Sequence, residues 1–282
     1  MKRGLEHWTL LCLLATTSIL AAGGSDAELV KRGEYLARAS DCISCHTAPD
    51  RPEFDPIPYA GGLPMKLPVG TVFSTNITPD VETGIGAYSI EDFDRAMRRG
   101  VRRDGKPLYP AMPYTSFTRM STEDVRALYA YFMHGLAPVK RVNIKPKLIW
   151  PASSRSTMRI WNHFFFHPGE YQLEPGRDAQ WNRGAYLVQA LGHCGGCHTM
   201  RGIAGQEKAS SEKDARFLRG GKVDNWYASD LTGNAVVGLE AWSPAELVQY
   251  LKTGRTQHSG AFGPMSEVVS RSTQYVSESD LQ

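Results

Sequence analysis

The chain has 282 residues, of which 41% are hydrophobic and 22% are charged, and its formal net charge at pH 7 is +3. That length suits two domains of ordinary size, and the composition argues against a disordered chain or a polytopic membrane protein. Because the basic residues are mostly interspersed with acidic ones, the small positive charge does not indicate a nucleic-acid partner.

The amino-terminal segment has the layout of a secretory signal peptide. Lys2 and Arg3 precede an apolar stretch from Trp8 to Ala22, and small and polar residues follow it. This stretch is shorter than the roughly 20 residues that span a bilayer as a helix. We therefore predict that residues 1–27 are a signal peptide. The mature protein is then expected to be exported.

The first of two CxxCH motifs is formed by Cys42, Cys45 and His46. Four cysteines in an exported protein ordinarily form two disulfides, and paired CxxC motifs in a cytosolic protein suggest zinc or a redox dithiol. The histidine directly after each pair favours covalent haem c instead. Two thiols can add to the vinyl groups of one porphyrin, and the adjacent histidine then binds the iron from one face.

Helices and a methionine loop follow the first motif. The stretch from Ser89 to Gly100 has the serine, acidic residue and terminal glycine of a capped helix. Met112 then lies between two nearby prolines, and methionine is the second axial ligand that suits haem iron for electron transfer. A closing helix is predicted from Ser121 to His134. Gly33 and Tyr35, in the helix before the motif, would let that helix pack closely against the closing helix.

The second CxxCH motif, formed by Cys194, Cys197 and His198, lies in matching surroundings and indicates an internal repeat. A capped helix is again predicted from Ser243 to Gly254, followed by Met265. Each of the two loop methionines lies 66 or 67 residues after its motif histidine, a spacing that Met97 and Met120 do not match. The repeat therefore predicts two covalent haems, attached to Cys42, Cys45, Cys194 and Cys197 and ligated by His46, Met112, His198 and Met265.

This organisation predicts an all-α fold of tandem cytochrome c domains. The expected boundaries are 1–27 for the signal peptide, 28–138 for the first domain, 139–178 for a linker and 179–282 for the second domain. Ser277 opens the same cap pattern as Ser121, but only one turn of helix can follow it. The second domain is thus expected to lack most of its closing helix. The helix around Tyr186 should then be exposed, unless the linker or a partner covers it.

With these motifs in place, the sequence resembles the multihaem cytochrome c subunits of membrane-bound bacterial alcohol, gluconate and related sugar or polyol dehydrogenases. The likeness covers nearly the whole mature chain and is more specific than the CxxCH motifs alone. It rests on the motifs at residues 74–80, 109–114, 181–187, 192–199 and 261–265.

The resemblance implies an electron relay with no catalytic residues of its own. It also implies a location in the periplasm or at the periplasmic face of the inner membrane, with membrane association only through partners. In that family a periplasmic dehydrogenase subunit, which carries a flavin or quinone cofactor, passes electrons to the cytochrome subunit. The cytochrome passes them to ubiquinone or another respiratory acceptor. Family members typically have three haem domains and a hydrophobic carboxyl-terminal anchor, so two CxxCH motifs predict a shortened form.

Other functions remain open from the sequence. A dihaem peroxidase would cleave peroxide at a haem with an open axial position, although both repeats offer a methionine at the same spacing. A stand-alone electron shuttle would use the same haems without a dehydrogenase partner. A zinc or disulfide module would use the cysteines without haem.

Overall fold

The computed structural model describes residues 26–49, 56–223 and 225–282. Most of the predicted signal peptide, residues 1–25, lies outside these described residues. The first unit and the linker contain α1 (Asp26–Ala39), α2 (Cys42–Cys45), β1 (Pro64–Leu67), β2 (Gly70–Phe73), α3 (Ile90–Arg99), α4 (Tyr114–Phe117), α5 (Thr122–Ala130), a π-helical turn (Tyr131–Gly135), β3 (Lys147–Leu148) and α6 (Thr157–Phe165).

The second unit repeats this order, but its leading and closing helices are shorter. It contains α7 (Ala179–Tyr186), a π-helical turn (Leu187–Leu191), α8 (Gly195–His198), β4 (Arg219–Val223), β5 (Trp226–Asp230), α9 (Pro244–Thr253), α10 (Pro264–Arg271), a 3₁₀ turn (Thr273–Tyr275) and α11 (Glu278–Leu281). Within the described ranges, none of these helices combines the length and the apolar character needed to cross a membrane.

The prediction of an all-α fold is wrong. Strands β1, β2 and β3 form a three-stranded antiparallel sheet, and β4 pairs with β5 as an antiparallel hairpin. Both hairpins lie in the long segments between the CxxCH motif and the middle helix, which the sequence indicated only as loops. Strands of two to five residues are too short to show a clear alternating pattern. Strand β3 also comes from the linker, so its pairing depends on tertiary contact.

The two middle helices form as predicted. Ser89 caps α3 and Ser243 caps α9, and in each helix the acidic side chain at the third position bonds back to the backbone of the cap. Both helices end at a glycine in the left-handed conformation, Gly100 and Gly254. These helices therefore stop where the chain must turn toward each methionine.

The core is centred on the contact between α1 and α5. Leu36 and Leu128 are at most 1% exposed, and Phe132 is also buried. The two helices approach closely because of Gly33, where a Cβ atom would lie 1.9 Å from the carbonyl oxygen of Ala127. The predicted close packing of the first helix on the closing helix is thus confirmed for Gly33. The same buried cluster includes Ala190 and Leu191 from the second unit.

Asp124 of α5 joins the two units. Its buried carboxylate accepts a hydrogen bond from Arg32 of α1 at 2.6 Å and another from the hydroxyl of Tyr186 in α7 at 2.6 Å. The backbone N–H of Ser121 donates to the same tyrosine hydroxyl at 3.1 Å. One carboxylate therefore connects the closing helix of the first unit to the leading helices of both units.

Asp280 of α11 makes the reciprocal contacts. It accepts hydrogen bonds from Arg183 of α7 at 2.8 and 2.7 Å and from the hydroxyl of Tyr35 at 2.5 Å. Tyr35 was expected to help α1 pack on α5, but its hydroxyl binds the other unit. Each leading helix thus directs its arginine to its own closing helix and its tyrosine to that of the other unit.

The linker covers part of α7. The ring of Tyr171 lies 5.9 Å from the ring of Tyr186, and its hydroxyl donates to Asn182 at 3.0 Å. Asn182 is buried, and its side chain also accepts a hydrogen bond from the N–H of Glu174 at 2.7 Å. Tyr186 is consequently half-buried rather than fully exposed.

Candidate haem-binding sites

The first CxxCH motif forms a tight turn at the wall of a cavity. Cys42 and Cys45 begin and end the short helix α2, so their side chains lie on neighbouring positions of one turn. His46 follows directly at the end of this helix. The turn therefore presents two thiols and an imidazole to the same region.

The imidazole of His46 is oriented by the backbone. Its Nδ1 lies 2.7 Å from the carbonyl oxygen of Thr75, so Nδ1 must carry the proton and donate it. This tautomer leaves the lone pair of Nε2 available for a metal. Burial lowers the pKa of His46, against the opposing effect of that hydrogen bond, and so favours the neutral imidazole that binds metals.

Met112 lines the same cavity as the motif. The cavity has a volume of about 760 Å³, in the range of cofactor pockets, and Cys42, Cys45, His46 and Met112 all contribute to its wall. The N–H of Met112 donates to the carbonyl of Tyr109 at 3.1 Å, which holds the loop in a turn. The structure thus brings together all four residues predicted for the first site.

Met97 and Met120, whose spacing does not match the repeat, have other surroundings. Met120 is fully buried and belongs to the hydrophobic core cluster. Met97 also belongs to that cluster, although it contributes to the cavity wall. Both fill space between helices, which is the usual role of methionine.

The second motif repeats the arrangement of the first. Cys194 directly precedes α8, which contains Cys197 and His198. The Nδ1 atom of His198 lies 2.8 Å from the carbonyl oxygen of Ser229, so Nε2 is again left available. Burial lowers the pKa of His198, as it does in the first site.

Met265 lies in the first turn of α10, directly after Pro264. The preceding Gly263 has a φ of 55°, and a Cβ atom there would lie 2.8 Å from the ring of Trp226. Trp226 in turn lies 5.6 Å from the ring of Phe262. A glycine is therefore needed at this position, where the chain turns beside an aromatic pair to begin the methionine helix.

The role of Thr75 and Ser229 in orienting the motif histidines was not predicted from the sequence. Their carbonyl oxygens lie 29 and 31 residues after the motif histidines that they bind. A repeated signal was present, because an Asn or Asp and then a Thr two residues later follow each of them. These side chains make the same local hydrogen bonds in both units: Thr78 to Asn76, and Thr232 to Asp230.

Cys42 is buried, and the other three motif cysteines are partly buried. Burial raises the pKa of Cys45 to about 12 and that of Cys194 to about 11, and it raises the pKa of Cys42 further. No disulfide joins the four motif cysteines, all of which lie in the described residues. The charge of Cys197 contributes to the raised pKa of Cys45, so the two motifs lie near each other. The methionine helix α10 of the second unit also packs against α2 of the first.

No protein-family model matches the chain. Comparison with individual known proteins does find relatives. It is 48% identical over 272 residues to the cytochrome c subunit of the quinone alcohol dehydrogenase of Gluconacetobacter polyoxogenes, covering 95% of this chain and 57% of that protein. It is 48% identical over 279 residues to the gluconate 2-dehydrogenase cytochrome c subunit of Pantoea cypripedii, covering 96% and 62%.

A third relative has nearly the same length as this chain. The diheme cytochrome c-type protein of Cereibacter sphaeroides is 32% identical over 292 residues, which cover 99% of this chain and 95% of that protein. The chain therefore spans about 60% of the dehydrogenase subunits that it matches but almost all of the dihaem protein.

Proposed function

Because this chain belongs to the c-type cytochrome family that includes those dehydrogenase subunits and the dihaem protein, we propose that it carries two haem c groups and relays electrons from a partner dehydrogenase. The observation that supports this most directly is shared by both units. Each motif histidine donates Nδ1–H to a backbone carbonyl and keeps Nε2 for iron.

In this proposal each unit holds one haem with its own residues. Cys42 and Cys45 attach the first haem, with His46 and Met112 as iron ligands. When bound, haem supplies an iron that gains and loses a single electron. The carbonyl of Thr75 fixes the imidazole, and buried apolar side chains of the cavity wall, among them Val72, Phe93 and Phe132, would surround the haem.

The second haem is held in the same way. Cys194 and Cys197 attach it, and His198 and Met265 are its ligands. The carbonyl of Ser229 orients the imidazole, while the turn at Gly263 sets the start of the methionine helix. A methionine on each iron leaves no open position for peroxide, so electron transfer is favoured over peroxidase activity.

The names of the relatives support a dehydrogenase as electron donor. Two of them are each named as the cytochrome c subunit of a dehydrogenase, so this chain is proposed to contribute no substrate chemistry and to pass electrons toward ubiquinone or another respiratory acceptor in the periplasm. We expect the protein purified from membranes of its own host to bring a dehydrogenase with it, and ethanol or gluconate to reduce its haems. The isolated chain should show no dehydrogenation with artificial acceptors. Turnover by the isolated chain would contradict the relay.

The ligands can be tested by exchanging methionines. Met112→Ala and Met265→Ala should each remove half of the near-infrared charge-transfer band between methionine and ferric iron, and each should open one haem to cyanide. Met97→Leu, a volume-conserving change in the first cavity wall, is the matched control and should keep the full band. Unchanged spectra in both alanine variants would contradict the proposed ligation.

A further inference from the structure

The residue before each CxxCH motif has an unusual backbone conformation. Asp41 has a φ of 51° and His193 has a φ of 38°, in the left-handed region that residues other than glycine seldom adopt. Such conformations persist only where surrounding contacts hold them. In both cases some of these contacts come from the other unit.

Asp41 faces the methionine helix of the second unit. Its carboxylate interacts electrostatically with Arg271 and Glu267 of α10, and it accepts a hydrogen bond from Ser44 at 2.5 Å. The haem-attachment turn of the first unit thus lies against the helix that begins with Met265 of the second unit.

His193 makes the reciprocal contact from the second unit. Its ring lies 5.5 Å from the ring of Phe117 in α4, at an interplanar angle of 71°. The backbone of Ser40 also lies beside this imidazole. The imidazole contributes to the wall of the first cavity, alongside Cys42 and Met112, although its own chain continues directly into Cys194. One side chain therefore touches the first cavity while its backbone leads into the second attachment site.

We infer that His193 is a positioning residue that holds the second haem-attachment turn against the first haem cavity and so sets the electronic coupling between the two haems. This inference rests on the proposed function, because it requires both haems. The step that it supports transfers one electron: ferrous iron in one unit is oxidised to ferric as ferric iron in the other is reduced. No further reactant takes part.

Asn adopts the left-handed backbone conformation more readily than His does. If the side chain at position 193 only had to permit this conformation, Asn would serve as well as His. What Asn lacks is the ring that packs on Phe117 inside the first cavity wall. His193→Asn therefore removes the ring contact while keeping the backbone conformation, and it is the variant of choice. His163→Asn, on the exposed side of α6, is the matched control.

The haem content of each variant is measured first, from the pyridine haemochrome. A wild-type chain with fewer than two haems would overturn the proposed function itself. With two haems present, two readouts follow: the paired positive and negative Soret circular dichroism bands of coupled haems, and the intramolecular redistribution rate after flash reduction with limiting reductant.

We expect His193→Asn to lose most of the paired Soret signal and to redistribute electrons more slowly, while its reduction by external reductant is unchanged. The His163→Asn control should match the wild type in both readouts. Unchanged coupling and redistribution in His193→Asn with two haems would overturn the role of His193. So would a wild-type protein that holds two haems without any paired signal.

Discussion

The helices that lead into the two haem motifs share the pattern Arg-Gly-x-Tyr-Leu but pack differently. A Cβ atom at Gly33 would lie 1.9 Å from the backbone of α5, whereas a Cβ atom at Gly184 would meet nothing within 4 Å. The first leading helix is pressed against a closing helix of nine residues, and the second faces the four residues of α11. A repeated sequence motif therefore does not imply repeated packing.

The arginine and the tyrosine of the pattern keep their roles in both units. Arg32 and Arg183 each bind an aspartate of their own closing helix, and the tyrosines cross to the other unit. The polar contacts between units are thus reciprocal, while the apolar packing is concentrated in the first unit.

The largest difference is expected at the two glycines. Gly33→Ala should destabilise the protein by about 3 kcal/mol, because the methyl group collides with backbone that cannot move aside. Gly184→Ala should stabilise it by up to about 1 kcal/mol through helix propensity. Urea denaturation of the haem-loaded protein measures both. Equal effects at the two positions would show that the leading helices are packed alike.

The two bridging aspartates should differ by less. Asp124→Ala leaves the Tyr186 hydroxyl without its acceptor in a buried setting and should cost about 2 kcal/mol. Asp280 is more exposed and lies in a one-turn helix, so Asp280→Ala should cost about 1 kcal/mol. The same urea titrations decide this, and a larger loss for Asp280→Ala would place the stronger junction in the second unit.

Asp41 should make stability depend on pH. Burial raises the pKa of its carboxyl from 3.8 to about 7, against the opposing effects of the Ser44 hydrogen bond and the charge of Arg271. The folded protein binds this proton more tightly than the unfolded chain does. The stabilisation that protonated Asp41 gives to the folded protein is therefore full below pH 4 and is lost as pH rises to about 7.

Asp41→Asn removes this titration. The variant should therefore gain stability relative to the wild type between pH 4 and pH 8, on the order of 1 kcal/mol. Asp26→Asn, at the exposed start of α1, is the control and should show no such gain. Parallel pH profiles for Asp41→Asn and the wild type would mean that the carboxylate is already charged in the folded protein.

Hydrogen exchange should report the smallest difference. Leu36 and Ala37 of α1 are at most 1% exposed, whereas residues 183–188 are only half-buried. Amides in residues 183–192 should therefore exchange faster than those in 32–41. Equal protection would mean that the linker, through Tyr171, replaces the long closing helix completely.

The haem chemistry could be predicted from the sequence alone. The CxxCH motifs, the equal spacing to Met112 and Met265 and the capped helices are local patterns, because thiol spacing and helix caps depend on neighbouring residues. The positions of Thr75 and Ser229 could have been found in the same way, because an Asn or Asp and then a Thr follow each of them. The assignment of Met112 and Met265 as iron ligands is a prediction that their alanine variants test.

The way in which the two units meet depends on tertiary contacts. The strand β3 comes from the linker and forms only where β2 is presented to it, and strands this short carry little pattern of their own. The crossing of Tyr35 to Asp280 joins residues 245 positions apart. No local pattern marks such a contact, because it depends on the relative orientation of two complete units.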